Sequence, residues 1–385
     1  DGYQIPTAFA DVIEASKVKT SKKTNRQMTP AAYGNIRHDL MRYDTWDAYI
    51  NMKKKMVAPG KSGMQYVHLA AMSADMRHLL CDIANLAIQS GYIYTMWKRE
   101  LIYRIPKVPG DPDQLKQRPL KLQEVLRKIT LGIKKNELLK VWHAHKLISP
   151  EQFAFLKGWS TAEPIMIKKL ALEISRLKRE CILALDEDLK RAYDQTERFV
   201  KEMSLRRFGV PEDMIEWIME FDRGNENIVL TAYGDSDPFE AEMGAWAQGD
   251  DFSPIGWVVT MDWLVQVVHI HSTMPVRIGN AVVEALLYAD DATYLQRARN
   301  AVRGILLHMR DIPAALTAIQ QIADATELYC GFTGHQIRVD KSALQFLLWI
   351  ADGEGGSTMV DKADMPPLYL RQWLKGPGLW EVHQG

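Results

Sequence analysis

Cysteine is scarce in this chain, with three residues among 385. Cys81, Cys181 and Cys330 lie far apart and lack the paired spacing of zinc ligands, so we expect neither a zinc site nor a disulfide framework. Free thiols are typical of a reducing, intracellular compartment, and we expect one here. A signal-peptide pattern is also lacking. The first residue is Asp1 instead of methionine, and we therefore expect a processed product or a part of a longer protein.

Long apolar runs are missing as well. No run approaches the roughly 20 residues that a membrane-spanning helix requires, so we expect no membrane partner. Net charge is absent too, because 48 basic residues balance 48 acidic ones. This balance argues against a uniformly basic nucleic-acid binder, since phosphate binding depends on lysine and arginine. The charge is nevertheless polarised, with basic clusters in the first third of the chain and acids gathered between residues 235 and 251.

Two adjacent acids occur in the segment Tyr288-Ala289-Asp290-Asp291. A largely apolar run over residues 282–287 precedes them and Tyr294-Leu295 follows, a pattern that predicts a β-hairpin with the acids at its turn. Like charges at close range repel each other unless a cation neutralises them, and Mg²⁺ suits a site of oxygen ligands. A plain turn explains the pair equally well, because Asp bonds its own backbone in turns.

A second acidic cluster, Asp186-Glu187-Asp188, ends the apolar run over residues 181–185. Asp186 and Asp188 lie two residues apart, so a strand would point both to one face of its sheet. If this strand pairs with the hairpin around residue 290, three carboxylates meet. Such a group holds two metal ions about 3.5–4 Å apart in polymerases and nucleases. A strand end with solvated acids is the alternative interpretation.

Between the two clusters lies a glycine-containing segment, Gly244-Ala245-Trp246-Ala247-Gln248-Gly249-Asp250-Asp251-Phe252-Ser253-Pro254. Serine suits the cap of a helix and proline its first turn. Because an apolar run follows, we predict a helix over residues 254–271. Glycine lets a backbone approach a ligand closely, although an ordinary capped helix after a loop accounts for the segment as well.

The order of these motifs resembles that of reverse transcriptases of the non-LTR retrotransposon and group II intron lineage. The resemblance rests on Asp-Leu-Lys-Arg-Ala-Tyr-Asp at residues 188–194, Gln-Gly-x-x-x-Ser-Pro at 248–254 and Tyr-Ala-Asp-Asp at 288–291. Further segments that resemble family motifs follow the same order, at residues 58–64, 97–107, 118–129, 148–161 and 333–342. The ordered set is more specific than any one motif.

This resemblance implies an α+β, right-hand polymerase fold with fingers and palm, in which helices back a central antiparallel sheet and the thumb is absent or truncated. We expect a partly helical, basic amino-terminal extension over residues 1–60, fingers over 61–180, a palm with the catalytic acids over 181–350 and a primer-grip-like tail over 351–385. Apolar spacing over residues 66–98 predicts a buried helical region. Further helices are expected at 120–146, 160–179, 189–207, 212–222 and 312–330, and strands at 101–108, 181–187, 226–232 and 238–243.

By the same resemblance, Asp188, Asp290 and Asp291 would be the catalytic residues and would bind two Mg²⁺ ions, with Mn²⁺ as an alternative metal. Asp186 is the runner-up to Asp188, because the spacing to Ala-Tyr-Asp at residues 192–194 fits Asp188.

Nucleotide binding would fall to five further residues, namely Lys107, Arg118, Tyr193, Gln248 and Gly249. The two cations would grip the triphosphate, and Tyr193 would exclude a 2′-hydroxyl. Gln248 and Gly249 would lie against the templating base pair and the nucleotide, where a side chain at position 249 would collide. Lys341 is the candidate donor of a proton to the leaving pyrophosphate.

The implied function is that of an RNA-directed DNA polymerase, a nucleotidyltransferase that extends a primer 3′-hydroxyl with deoxynucleotides as part of a retroelement protein. Expected partners are an RNA template, a DNA or RNA primer, deoxynucleoside triphosphates, and other domains or subunits that supply a thumb and a nuclease. Two alternatives stay open. One is a catalytically silent scaffold or RNA-binding subunit, which the zero net charge and the missing thumb favour; the other is an RNA-dependent RNA polymerase.

Three places depart from the family pattern. Asp250-Asp251 stand where apolar or small residues are usual, Lys61-Ser62 where an acidic residue precedes glycine, and Asp340 where asparagine is frequent. Two extra negative charges beside a nucleic-acid groove are unfavourable unless a lysine or a metal offsets them. The departures therefore put template affinity in question more than metal chemistry.

Overall fold

The computed structural model describes residues 7–54, 56–109, 117–190, 192–241, 246–298, 307–365, 369–370, 378–379 and 381–384. The chain divides into two compact units, each discontinuous in sequence. Unit I comprises Asp1–Lys17, Ile148–Gln195 and Val258–Gly385, and unit II comprises Val18–Leu147 and Thr196–Trp257. The functional division into extension, fingers, palm and tail stays a prediction.

The helices and strands are numbered in chain order. The helices are α1 (Ala10–Ala15), α2 (Tyr43–Met52), α3 (Tyr66–Ala71), α4 (Ala74–Ser90), α5 (Val125–His145), α6 (Ala162–Lys178), α7 (Ala192–Gln195), α8 (Arg198–Arg207), α9 (Glu212–Glu220), α10 (Ser253–His271), α11 (Ile312–Ala315) and α12 (Thr317–Thr333). The strands are β1 (Arg99–Pro106), β2 (Gln117–Leu122), β3 (Ile182–Asp188), β4 (Glu226–Thr231), β5 (Gly234–Asp235), β6 (Val276–Ile278), β7 (Ala281–Val283), β8 (Ala285–Tyr288), β9 (Asp291–Arg297), β10 (Ala343–Leu347), β11 (Trp349–Ala351), β12 (Ser357–Met359), β13 (Tyr369–Leu370), β14 (Gly378–Leu379) and β15 (Glu381–Gln384).

Unit I is built on a five-stranded sheet in the order β15-β10-β3-β9-β8. The pairs β10–β3, β3–β9 and β9–β8 are antiparallel, and β15 joins the edge parallel to β10. Side chains alternate between the faces of a strand, so Ile182 and Ala184 pack in a cluster with Ala171 of α6. The opposite face packs against α12. The central strands are therefore buried on both sides, which fixes their register.

Unit II has a four-stranded sheet in the order β2-β1-β4-β5. β1 and β2 form an antiparallel pair in which Ile105 faces Arg118, and β4 runs parallel to β1. The buried carboxylate of Glu100 in β1 binds Lys121 at 2.7 Å and Arg127 at 3.0 Å. Burial alone would raise the pKa of Glu100, but the two cations lower it to about 2. This network fixes the start of α5 to the sheet.

Several predicted elements are observed close to their expected positions, among them the helix of residues 253–271 and the strand of residues 182–188. Others differ. The region predicted as one helix over 189–207 is two helices with a break at residues 196–197, and α5 begins at Val125 because residues 117–122 pair as β2. The strand predicted at 238–243 is reduced to a single bridge between Phe239 and Asn227; residues 242–245 lie outside the described residues.

The region predicted to be buried over residues 66–98 is only partly so. Ser73 caps α4 by accepting from the Met76 N–H, which separates it from α3. Met76, Leu79 and Leu86 on α4 are 46%, 51% and 54% exposed, so the prediction that these side chains fill a core is wrong. None of the described helices has the length and hydropathy of a membrane span.

Candidate active site

Three acids meet at one end of the unit I sheet because of how its strands pair. In the β3–β9 pair, Asp188 lies opposite Asp291. In the β8–β9 hairpin, Tyr288 lies opposite Asp291, which leaves Ala289 and Asp290 as a two-residue turn. The pairing on which the sequence argument depended is therefore present, and it sets Asp188 of one strand beside the turn that carries the other two acids.

The turn itself has an unusual backbone. Ala289 has a φ of 57°, in the left-handed region. Two-residue hairpin turns need positive φ, and a residue with a Cβ pays about 1–2 kcal/mol for that conformation. A strained residue persists only where the surrounding structure imposes it, and such residues cluster at functional sites.

The electrostatics of the acids show a local excess of negative charge. Burial raises the pKa of Asp188, and the neighbouring Asp290 raises it further. Burial also raises the pKa of Asp291, with Asp290, Asp188 and Asp186 adding to the effect. Repulsion of this kind is relieved by a bound cation, so the site is suited to positive charge.

Two basic side chains lie beside Asp188. Its Oδ2 is 3.8 Å from Arg338 Nε and 4.0 Å from Lys341 Nζ. Main-chain bonds fix this arrangement: the Arg338 N–H donates to the Asp188 carbonyl at 2.7 Å, and the Asp188 N–H donates to Ser342 Oγ at 3.2 Å. Lys341 is therefore near the acids, as the family motif suggested. Arg338 was missed, because its place in the sequence gives no signal that distinguishes it from a solvated arginine.

Arg338 also explains the departure at residue 340. Its guanidinium binds both oxygens of Asp340, at 3.3 and 2.7 Å, while it stays near Asp188. The carboxylate of Asp340 therefore holds the Arg338 guanidinium near Asp188. The asparagine that is frequent at this position would bind the guanidinium without a full negative charge.

The donor set fits a divalent metal in its chemistry. Asp188, Asp290 and Asp291 supply only carboxylate oxygens, the ligands that hard cations prefer. The pKa values of Asp188 and Asp291 are raised, and a bound cation would stabilise their charged forms. Within the described residues, no three His, Cys, Asp or Glu side chains are grouped closely enough to hold a metal ion.

Asp186, the runner-up to Asp188, has other partners. Lys168 Nζ of α6 lies 2.6 and 2.8 Å from its two oxygens, and Thr293 Oγ1 donates to Oδ1 at 2.5 Å. These close contacts neutralise Asp186 within the protein, whereas the two cations near Asp188 lie 3.8 and 4.0 Å from its carboxylate. Asp188 also lies opposite Asp291 in the strand pair. The choice of Asp188 over Asp186 as the ligand stays a prediction.

Tyr193 lies in α7 and is half-buried. Burial raises the pKa of the Tyr193 phenol, and the charge of Asp290 raises this pKa further. The ring therefore lies near the hairpin turn that carries Asp290. Tyr193, the three acids and Lys341 all belong to unit I.

The other predicted nucleotide-binding residues belong to unit II. Lys107 follows the last residue of β1 and Arg118 is the second residue of β2, so both exposed cations lie at the same end of this strand pair. The Lys121 N–H of β2 donates to the Gln248 carbonyl at 2.8 Å. The structure therefore brings the turn of Gln248 and Gly249 onto the strand that carries Arg118.

Gly249 is required by the protein's own backbone. Its φ is 111°, and a Cβ would come within 2.5 Å of the Lys121 carbonyl oxygen. By family resemblance, a side chain at position 249 would collide with the nucleotide. The structure supplies a nearer reason, namely the close approach of the turn to β2.

The two unexpected acids after Gly249 do not project as free charges. Asp251 Oδ2 accepts from Tyr49 Oη at 2.6 Å and from Lys53 Nζ at 2.5 Å. Asp250 is 8% exposed, lies 3.5 Å from Arg127 and accepts the Phe252 N–H at 2.7 Å. Lysine and arginine within unit II therefore offset the charges of these two acids. Nothing in the local sequence reveals these partners, because Tyr49 and Lys53 are about 200 residues away.

A comparison with protein-family models identifies the class. Residues 105–344 match the model described as reverse transcriptase (RNA-dependent DNA polymerase). This match covers more than half of the chain, and the chain belongs to that family. The predicted right-hand polymerase fold, α+β with helices around a central sheet, is thereby confirmed.

Curated relatives specify the lineage. The chain is 25% identical over 252 residues to the retrovirus-related Pol polyprotein from type-1 retrotransposable element R2 of Nasonia vitripennis, which covers 66% of this chain and 24% of the relative. It is 27% identical over 158 residues to the polyprotein from type-2 element R2DM of Drosophila melanogaster, covering 41% of this chain and 15% of the relative. The prediction of a non-LTR reverse transcriptase is confirmed. The chain spans less than a quarter of the length of these relatives.

Among solved structures, apo telomerase from Candida tropicalis, truncated from its C-terminal domain, is similar at 14% identity with a TM-score of 0.44. The similarity covers 70% of this chain and 53% of the telomerase chain.

Proposed function

We propose that this chain is an RNA-directed DNA polymerase domain that extends a primer 3′-hydroxyl with deoxynucleotides, within a larger retroelement protein. The observation that carries the proposal is the register that sets Asp188 opposite Asp291 and next to Asp290, in a chain that belongs to the reverse transcriptase family. A scaffold has no need to hold together acids whose pKa values are raised first by burial and then by their mutual repulsion.

Members of this family use divalent metal ions, and we propose two Mg²⁺ ions, with Mn²⁺ as a substitute. Asp188, Asp290 and Asp291 are the residues that would hold them. When bound, such ions activate the attacking hydroxyl and neutralise the charge that develops on the leaving phosphates.

The reaction forms one phosphorus–oxygen bond and breaks another. The primer 3′-hydroxyl loses its proton to solvent and its oxygen bonds to the α-phosphorus of the nucleotide, while the bond from that phosphorus to the bridging oxygen breaks and pyrophosphate leaves. The protein contributes mainly position and charge to such a reaction. Lys341 is our candidate for giving a proton to pyrophosphate. Its ammonium lies 4.0 Å from Asp188 and is 56% exposed, so it can exchange its proton with solvent.

The remaining roles concern the nucleotide. Lys107 and Arg118 bind the triphosphate, because a guanidinium fork and an ammonium both match phosphate oxygens. Tyr193 lies under the sugar and excludes a 2′-hydroxyl. Gln248 and Gly249 contact the templating base pair through a turn that β2 holds in place.

The proposed partners are an RNA template, a DNA or RNA primer and deoxynucleoside triphosphates, with other domains or subunits supplying a thumb and a nuclease. We also propose a reducing, intracellular setting. Its support is that Cys81, Cys181 and Cys330 are all free and buried.

Primer extension tests the proposal. Purified protein is offered an RNA template, a DNA primer, Mg²⁺ and either deoxy- or ribonucleotides, with Asp290→Asn as the variant. We expect extension with deoxynucleotides that is lost in the variant. RNA binding without any extension would instead support the scaffold, and extension with ribonucleotides alone would support an RNA-dependent RNA polymerase.

A further inference from the structure

Asp251 joins the amino-terminal part of unit II to the turn that carries Gln248 and Gly249. One carboxylate oxygen accepts from Tyr49 Oη at 2.6 Å and from Lys53 Nζ at 2.5 Å. Tyr49 lies in α2 and Lys53 directly follows it, and the ammonium of Lys53 also lies 4.7 Å from the centre of the Tyr49 ring. We call Tyr49, Lys53 and Asp251 the Asp251 clamp.

The segment between the turn and α10 has few ways to move while these contacts hold. The Gln248 carbonyl is bonded to the Lys121 N–H at one end. Asp250 binds Arg127 and accepts the Phe252 N–H at the other end. The Asp251 clamp adds a third contact, which joins the segment to Tyr49 of α2 and to Lys53. Only Asp250 separates Gly249 from Asp251, so a displacement of Asp251 is transmitted to the turn.

Charge balance shows how strongly the site depends on Asp251. Burial lowers the pKa of Lys128, and Asp251 is the largest opposing influence. Burial also lowers the pKa of Lys135. Asp251 again raises this pKa, whereas the charge of Lys53 lowers it further. Replacing Asp251 with a neutral residue would leave three lysines close together and partly buried. Such groups repel each other and favour a displaced, more solvated arrangement.

A second contact shows that the amino-terminal segment is docked and not a free tail. The Ser62 N–H and Oγ bind the two oxygens of Glu124, at 2.8 and 2.5 Å. Gly60 approaches the same place so closely that a Cβ would lie 2.7 Å from the Glu124 nitrogen. Glu124 immediately precedes α5, the helix that supplies Arg127. Ser62, which with Lys61 departs from the family pattern, therefore also forms its hydrogen bonds within unit II.

We propose that Asp251 is a positioning residue for the incoming nucleotide. Through Tyr49 and Lys53, the amino-terminal helix α2 sets the conformation of the Gln248–Gly249 turn. The proposal rests on the proposed polymerase function, because it takes that turn to contact the nucleotide. It gives a role to one of the two acids that stand where the family has apolar or small residues.

Steady-state primer extension with purified Lys53→Met and Asp251→Asn tests the clamp. A displaced turn weakens nucleotide binding while the acids stay intact, so we expect KM for the deoxynucleotide to rise about tenfold and kcat to change less than about twofold. Lys53→Arg, which keeps the charge, should restore a nearly normal KM. The double charge reversal Lys53→Asp with Asp251→Lys should recover part of the loss.

Asp47→Asn is the matched control. Asp47 lies on the same helix α2 and pairs with Arg77 at 3.0 Å, away from Asp251. Its loss should leave KM unchanged. Hydrogen exchange supplies a readout without activity: amides of residues 247–252 should exchange faster in Lys53→Met than in the wild type or in Asp47→Asn.

The outcomes separate the two proposals. A wild-type protein that extends no primer overturns the proposed function. Wild-type activity with an unchanged KM in both clamp variants overturns the clamp and leaves the polymerase standing. Equal loss of kcat and thermal stability in Lys53→Met and Asp47→Asn, with no selective rise in KM, would reduce the clamp to a structural contact and also overturn the proposal.

Discussion

Replacing Glu187 with glutamine should stabilise the protein at alkaline pH and change its stability little at acid pH. Glu187 lies in β3 between two aspartates and is 3% exposed. Thr326 Oγ1 of α12 donates to its Oε1 at 2.7 Å, whereas Oε2 has no hydrogen-bond partner among the residues that the structure describes. Burial raises the pKa of Glu187 to about 8, and the bond from Thr326 offsets only part of this effect.

The magnitude follows from the difference between the folded and unfolded pKa values. The ordinary value is 4.5, so between pH 4.5 and about 8 the folded state holds a proton that the unfolded state has lost. Stability therefore falls as the pH rises through this interval and levels off above it. Each pH unit corresponds to about 1.4 kcal/mol. Relative to its value below pH 4.5, the free energy of unfolding is therefore lower by about 3 kcal/mol at pH 7 and by about 5 kcal/mol above pH 8.

Glutamine resembles the protonated acid in shape and stays neutral at every pH. The assay is the thermal midpoint of the wild type and of Glu187→Gln at pH 5, 7 and 9. Domains of 150–250 residues shift by about 2–4 °C per kcal/mol, so we expect the gap to widen from a few degrees at pH 5 to about 10–20 °C at pH 9. Glu173→Gln on the exposed side of α6 is the control and should show no such widening. A gap for Glu187→Gln that is the same at pH 5 and pH 9 would refute the reasoning.

Three further predictions concern other parts of the molecule. His269→Gln should destabilise the protein more at pH 6 than at pH 9 in thermal unfolding. Burial lowers the pKa of His269, but two glutamates at 3.2 Å raise this pKa overall. The stabilisation by His269 is therefore present below about pH 6.5 and is lost as the pH rises through the raised pKa. Tyr193→Ala should relax the choice between deoxy- and ribonucleotides in primer extension, and unchanged discrimination would contradict its placement under the sugar. Gly249→Ala should lower the free energy of unfolding by at least about 1–3 kcal/mol, because its φ of 111° and the nearby carbonyl of β2 both oppose a Cβ; wild-type stability in denaturant would disprove this.

Local signals predicted the parts of the fold that depend on local physics. The Ser-Pro pair and the apolar run after it gave the helix of residues 253–271, and the acids between two apolar runs gave the hairpin turn at Ala289 and Asp290. Each of these features is dictated by residues within a few positions of it. The choice of Asp188 over Asp186 came from motif spacing and stays a prediction, while the structure adds a salt bridge from Asp186 to Lys168.

Contacts between distant segments were beyond local reasoning. Residues 120–122 looked helical, but pairing with β1 draws them into a strand. Asp251 looked like a charge exposed to nucleic acid, but Tyr49 and Lys53 meet it from a segment about 200 residues earlier. Arg338 reaches Asp188 because the chain crosses the end of β3, a path that no spacing rule encodes.

The central claim is that Asp188, and not its neighbour Asp186, joins Asp290 and Asp291 in the catalytic group. The most direct test is primer extension on an RNA template by Asp188→Asn and Asp186→Asn, purified in parallel and matched for thermal stability. We predict that Asp188→Asn loses extension by several orders of magnitude while Asp186→Asn keeps measurable activity. Extension by Asp188→Asn at a rate near that of the wild type, or loss in Asp186→Asn alone, would contradict it.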